Sequence, residues 1–383
     1  MCLYFQMIHS GVEPDQVSFL YALRVCSEIR GFFHLGRIIH YHIMRYELDP
    51  NVLVGSTLID MYAKCGCLVE GHYVLSKLKN RNSISWGVLV SGYARHGCID
   101  FSLYLIECMN KEGMILDTTT FLCILKACGR EKATMHGMLI HSRMVSIGFE
   151  FDHFLVNSLV DMYAKCKLME EALYVFENAS EKDVVCWVAL ISGYIQLKKD
   201  KYSIELFKEM QQKGVSPDRV SFLCVLKACG NLGMVIEGHI IHDNIVKYGF
   251  DINTDIQNTL IHVYSKCGFR EEAYLVFNRS RNRDVVSWGA MAAGYVEEGS
   301  SSHVLDLFHA FQKETIDPNT FLFSSVLTAC GSLRALHQGR LIHGYIIMNG
   351  HESDVVVANS LIDMYGKCGS LNDSCHVFCN LST

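Results

Sequence analysis

The chain has 383 residues, half of them apolar and 19% charged, with four prolines and a formal net charge of −6. That balance excludes a disordered tail, a collagen-like repeat and a low-complexity linker, and it excludes nucleic-acid binding carried mainly by bulk positive charge. Seventeen cysteines, an odd count in a long chain with no signal peptide, point to reduced buried thiols rather than a disulfide framework. No run of about 18 uncharged apolar residues occurs, so no membrane span is expected. Met1 to Met7 lack the Arg/Ser-rich, acid-poor character of an organelle transit peptide.

Taken along the chain, the elements recur. Tyr62-Ala63-Lys64-Cys65-Gly66 returns as Tyr163-Ala164-Lys165-Cys166, as Tyr264-Ser265-Lys266-Cys267-Gly268 and as Tyr365-Gly366-Lys367-Cys368-Gly369, at a step of 101 residues. Trp86, Trp187 and Trp288 keep the step, as do His40, His141, His242 and His343, and Pro217 and Pro318. One extra residue between Cys26 and His40 is the sole slip. Each unit holds a leading, a short and a closing segment of about 35, 31 and 35 residues, in the second unit Thr118–Asp152, His153–Asp183 and Val184–Asp218.

Each segment reads as two helices. Phe222, Val225, Leu226 and Cys229 make one apolar stripe at helical spacing, with Gly230 placed to end that helix in a left-handed turn. Ile240, Ile241, Ile245 and Val246 make a second stripe, ended by Gly249. The pattern predicts an all-α solenoid of paired helices, in which stacking buries faces that no single pair can bury.

The segments resemble plant pentatricopeptide repeats of the PLS type, with alternating long, short and P-like motifs. Asp183-Val184-Val185-Cys186-Trp187 and Asp284-Val285-Val286-Ser287-Trp288 resemble the start of the P-like motif. Phe222 to Cys229 resembles the long motif, and Asn359 to Gly369 the short one. The resemblance covers essentially the whole chain and implies a right-handed superhelix of stacked helix-turn-helix repeats. The expected organisation is a partial P-like repeat over 1–15, three triplets over 16–117, 118–218 and 219–319, and a terminal pair over 320–383, eleven further motifs in all. Leu3, Met7, Gly11, Pro14 and Asp15 align with Leu206, Met210, Gly214, Pro217 and Asp218, so both ends are expected to be cut inside a repeat.

The resemblance also implies single-stranded RNA, one base per repeat, read by a first-turn residue of the first helix together with the last residue of the repeat. In the short repeats these pairs are Ser56 with Asn82, Asn157 with Asp183 and Asn258 with Asp284; Asn359 has no partner before the chain stops. An ionised Asp only accepts hydrogen bonds, which suits the ring N–H of uracil or guanine, whereas Asn can donate to cytosine or adenine. With the family preference of Asn for pyrimidines and Ser for purines, the expected core is 5′-A-N-N-U-N-N-U, with a pyrimidine three places on. Capping of the next helix is the structural alternative for Asp183 and Asp284.

The P-like repeats keep Asp117, Asp218 and Asn319 at their ends but place Gly87, Val188 and Gly289 where a polar first-turn reader belongs. They are expected to read weakly. The long repeats carry Leu20, Leu122, Leu223 and Ser324 there. Lys64, Lys165, Lys266 and Lys367, with Arg95 and Arg130, are the implied phosphate contacts, set against plain surface charge favoured by the helix dipole. Leu53, Phe154, Val185, Val286 and Val356 suit base faces and core packing equally well. The three tryptophans are expected in the core and the four histidines between helices. Cys65, Cys67, Cys375 and Cys379 lack zinc-site partners.

No His-x-Glu, Cys-x-x-Cys, phosphate loop or Gly-x-Ser-x-Gly occurs, so the chain is expected to be no enzyme and to need no cofactor or metal. The resemblance implies a monomeric specificity factor for RNA processing in mitochondria or, alternatively, chloroplasts, most of all cytidine-to-uridine editing. A separate deaminase-type or editing-accessory protein would be its partner. The acidic charge and the weak P-like repeats support a second alternative, a protein-binding scaffold, and the cut ends a third, a non-functional remnant.

Overall fold

The computed structural model describes residues 2–29, 32–149 and 152–380. Thr383, where the last repeat is expected to break off, lies outside them, as do residues 30 and 31 within the stretch that holds the extra residue. Among the described residues there are twenty-three α-helices, from Cys2–His9 to Leu371–Asn380, and no strand. From Gln16 onward they follow one another as helix pairs joined by short turns. The fold is an all-α solenoid. The chain divides into two compact units, Met1–Gly193 and Tyr194–Thr383.

Local chemistry sets the two helices of a pair apart. The first helix opens on an Asp or Asn whose side chain accepts a backbone N–H of the first turn: Asn51 for Val52–Lys64, Asn82 for Ser83–Arg95, Asp284 for Val285–Glu297. Such a cap stabilises a helix by about 1 kcal/mol. The second helices, such as Leu68–Lys77 and Arg270–Arg279, begin without a side-chain cap. Their positions come from packing and from the tight turns before them, where Gly66 and Gly268 take a φ of +80° that favours glycine.

Within the first unit, the helix Val52–Lys64 packs on its own partner Leu68–Lys77 and on the first helix of the next pair, Ser83–Arg95. In the second unit Thr254–Lys266 packs in the same way on Arg270–Arg279 and Val285–Glu297. First helices therefore form a continuous inner row in each unit, and second helices brace it from one side. Phe121, Phe222 and Phe323 recur fully buried in that row.

Two expectations need correction. Gly230 does not end its helix: Arg219–Leu232 continues past it and Gly233, at φ +66°, is the left-handed cap. Gly230 is instead a close-packing position, where a Cβ would lie 3.1 Å from Val263 Cγ2. The second stripe is also narrower than its four residues suggest. Ile241 and Ile245 are buried, while Ile240 and Val246 are half exposed, because a bracing helix covers only one side.

Candidate nucleic-acid interface

In the second and third short segments the first turn of the inner helix lies beside the residue that caps the next inner helix. In the second short segment, Asn157 is 7% exposed and its Nδ2 donates to Asp183 Oδ2 at 2.9 Å, across 26 residues of chain. Asp183 Oδ1 accepts the backbone N–H of Cys186 at 3.0 Å. In the third, Asn258 Nδ2 donates to Asp284 Oδ1 at 3.1 Å, and that oxygen also accepts Ser287 N–H at 2.8 Å. A carboxylate accepts only, so both amide orientations are fixed by chemistry. Burial pushes the Asp284 carboxyl up, but the bonds from Ser287 and Asn258 outweigh it and hold the group below the ordinary carboxylate range. Capping and pairing thus occur together in the same side chains.

The first short segment is looser. Ser56 is buried with its hydroxyl unpartnered, and Asn82 is engaged in a reciprocal capping box with Ser85. Ser56 nevertheless opens onto a surface cleft lined by Val17, Leu20, Leu53, Ile84 and Val88. Asn359 is exposed. Asp117, Asp218 and Asn319 all cap the helices that follow them.

Each unit carries its own row of exposed apolar residues, at the second position of its inner helices. Leu53, Phe154, Val185, Val286 and Val356 are each 50 to 67% exposed, so core packing is ruled out for them. Val17, Ile84, Val220 and Phe321 occupy the same position and are also exposed. Sequence reasoning missed those four, although Ile84 lies one 101-residue step before Val185 and so carried a signal. Asp255 breaks the row one step after Phe154, where Arg219 pairs with it.

Two of the three closing segments have a steric reason to lack a reader. A Cβ at Gly87 would meet Thr120 Oγ1 at 2.6 Å, and one at Gly289 would meet the Phe321 ring at 2.8 Å. At these two positions the following repeat fills the space that a first-turn side chain would need.

With this geometry in place, comparison with known proteins is specific. Residues 56–83, 84–114, 154–184, 258–285, 286–316 and 356–381 match the PPR repeat, and 182–231 match the PPR repeat family. Together these segments span more than half of the chain. The chain belongs to the PPR repeat family. An Arabidopsis thaliana relative, pentatricopeptide repeat-containing protein At4g39530, is 32% identical over 98% of this chain and 45% of its own length. Another from that plant, the chloroplastic At1g11290, is 32% identical over 96% of this chain and 45% of its own length. The mitochondrial At2g03380 is 31% identical, with 96% of this chain and 53% of the relative covered. The chain thus spans about half the length of these curated relatives. Among solved structures, the pentatricopeptide repeat protein PPR10 in complex with an 18-nt psaJ RNA element superposes with a TM-score of 0.76 at 16% identity, covering 100% of this chain and 60% of that one.

The PPR segments 154–184 and 258–285 enclose the two Asn/Asp pairs. The lysines that end the inner helices are less free than their spacing suggests. Lys64, Lys165 and Lys367 pair with Asp60, Asp161 and Asp363 one turn back in their own helices, at 2.6 to 2.7 Å. Lys266 has His262 at that place and instead reaches Asn231 at 3.5 Å. Arg95 and Arg130 bond backbone carbonyls, Ser91 O for the first and Ala94 O and Arg95 O for the second. The tryptophans are 0 to 4% exposed, as core residues. Each recurring histidine sits between helices: His40, His141, His242 and His343 lie 2.8 to 3.0 Å, Nδ1 to hydroxyl, from Tyr62, Tyr163, Tyr264 and Tyr365. The cysteines are free thiols, and burial pushes Cys128, Cys186, Cys229 and Cys330 up to about 12, so they stay protonated and inert.

Proposed function

We propose that this PPR chain binds single-stranded RNA and reads it chiefly through its short repeats. The observation that carries the reading is the pairing of Asn157 with Asp183 and of Asn258 with Asp284, beside exposed apolar side chains that suit base faces. Ser56 with Asn82 is assigned to A, and the two Asn/Asp pairs to U, in the order 5′-A-N-N-U-N-N-U. Asn359 adds a pyrimidine preference. Asp117, Asp218 and Asn319 contribute weakly, since their repeats lack a first-turn reader. Lys64, Lys165, Lys266, Lys367 and Arg95 are assigned to the phosphates.

The bound PPR10 complex supports RNA as the ligand class. The alternation of 35- and 31-residue segments supports membership of the PLS class, and with it a role as specificity factor for organellar RNA processing, above all cytidine-to-uridine editing. Catalysis would belong to a separate protein recruited by the bound chain; none is assigned to this one. Relatives named as mitochondrial and as chloroplastic support an organellar site of action, with the mitochondrion our assignment.

The pairing of three lysines with aspartates favours a second reading, a protein-binding scaffold. Fluorescence anisotropy with a labelled A-N-N-U-N-N-U RNA separates the two. RNA binding predicts saturable affinity that weakens as salt rises and falls when both U positions become C. The scaffold reading predicts no saturable binding at any salt.

A further inference from the structure

The second and third short repeats carry the same two reading residues, yet their surroundings differ. Asp183 Oδ2 accepts a hydrogen bond from Asn157 Nδ2 at 2.9 Å and also faces His153 Nε2 at 2.9 Å, an ion pair when the imidazole is protonated, and its Oδ1 is held by Cys186 N. Both carboxylate oxygens are therefore engaged by the chain. At the third repeat the bonds converge on Asp284 Oδ1, which accepts Asn258 Nδ2 and Ser287 N, with Ser287 Oγ 2.9 Å away. Asp284 Oδ2 accepts no side-chain hydrogen bond among the described residues. The position of His153 is occupied there by Thr254, one 101-residue step on. The amide oxygens differ as well. Ser287 Oγ lies 2.6 Å from Asn258 Oδ1, whereas Cys186 replaces that serine and leaves Asn157 Oδ1 buried without a partner.

We infer that the two Asn/Asp sites differ in stringency, and that His153 is the positioning residue that relaxes the second. The inference rests on the RNA reading proposed above. Uracil offers a ring N–H where cytosine has a lone pair. The open Oδ2 of Asp284 attracts the first and repels the second with a full carboxylate charge. At the second repeat the equivalent oxygen already faces His153 and Asn157, which offset its charge, so the base meets an acceptor closer to neutral. A bond to a charged acceptor is roughly twice as strong as one between neutral groups. Discrimination of U from C at the second site is then about the square root of that at the third: about threefold against about tenfold.

The test measures the affinity of the 383-residue chain for a single-stranded RNA carrying A-N-N-U-N-N-U, and for the two RNAs with one U changed to C. The penalty is expected to be larger at the U assigned to Asn258 and Asp284. His153→Thr, which installs the residue found at position 254, should raise the penalty at the other U to about tenfold and leave the first unchanged. Thr254→His should lower the penalty at the third-repeat position. A histidine that only supported the fold would change affinity for all three RNAs alike and leave both ratios where they were. Equal penalties that His153→Thr does not move would overturn this inference while leaving base reading intact. If neither U-to-C change affects affinity, base reading itself fails, and this inference with it.

Discussion

The tight approach of inner helices predicts opposite effects for one substitution at two glycines. Gly92, in the helix Ser83–Arg95, faces Ala63 of the preceding inner helix, and a Cβ there would lie 2.7 Å from Ala63 Cβ and 3.6 Å from Ala63 Cα. Carbon atoms pack best at about 3.5–4.0 Å, so the two helices would have to part by roughly 1 Å. Neither atom can move aside, because both belong to or adjoin backbone. Gly92→Ala should therefore destabilise the fold by about 1–3 kcal/mol, the usual cost of overpacking. Gly238, in Val235–Lys247, is also helical and buried, but its nearest neighbour would be Val263 Cγ1 at 4.0 Å, an ordinary contact. There the alanine gains helix propensity without a clash, about 0.5–1 kcal/mol. Urea unfolding followed by far-UV circular dichroism would read the two as midpoints, since repeat arrays need not unfold in one step. The Gly92→Ala midpoint should fall and the Gly238→Ala midpoint rise. A Gly92→Ala protein as stable as the parent would refute the packing argument.

Three further outcomes follow from the same geometry. Asp284→Asn should keep the helix cap, as Asn82 does for Ser85, while shifting the preferred base at its position from U towards C; selected RNAs sequenced from both proteins would reveal it. Phe154→Ala should weaken RNA binding about fivefold or more, the low end of a base–aromatic contact, with no change in melting temperature, because the ring is 67% exposed. Burial lowers the basicity of His40, His242 and His343, so the unfolded chain binds more protons than the folded one as pH falls through the unfolded histidine value of about 6.5. Their contribution is thus fully present above that pH and is lost below it; a thermal melt at pH 7.5 should exceed one at pH 5.5, and His242→Gln should narrow the gap.

Most of the architecture was legible because it is periodic. The 101-residue step located the helices, the buried tryptophans and the His–Tyr contacts, since residues a full step apart meet the same neighbours. Orientation within a first turn was less legible. Leu53 and Val54 are adjacent and both apolar, yet Leu53 is 55% exposed and Val54 fully buried, a difference set by which side the bracing helix covers. Turn chemistry was only half visible, because Lys132, Lys167 and Arg334 hold left-handed conformations that glycine holds in sister repeats. His153 and Cys186 were invisible for the opposite reason: they break the period, and their effect lies in contacts made across a whole repeat.

The central claim is that the short repeats read bases, and selection from a random RNA pool on the purified chain, sequenced at two salt concentrations, tests it most directly. Enrichment of A-N-N-U-N-N-U at both salts is the predicted result. A pool that stays unenriched, with a protein whose helical circular dichroism is intact, would contradict it.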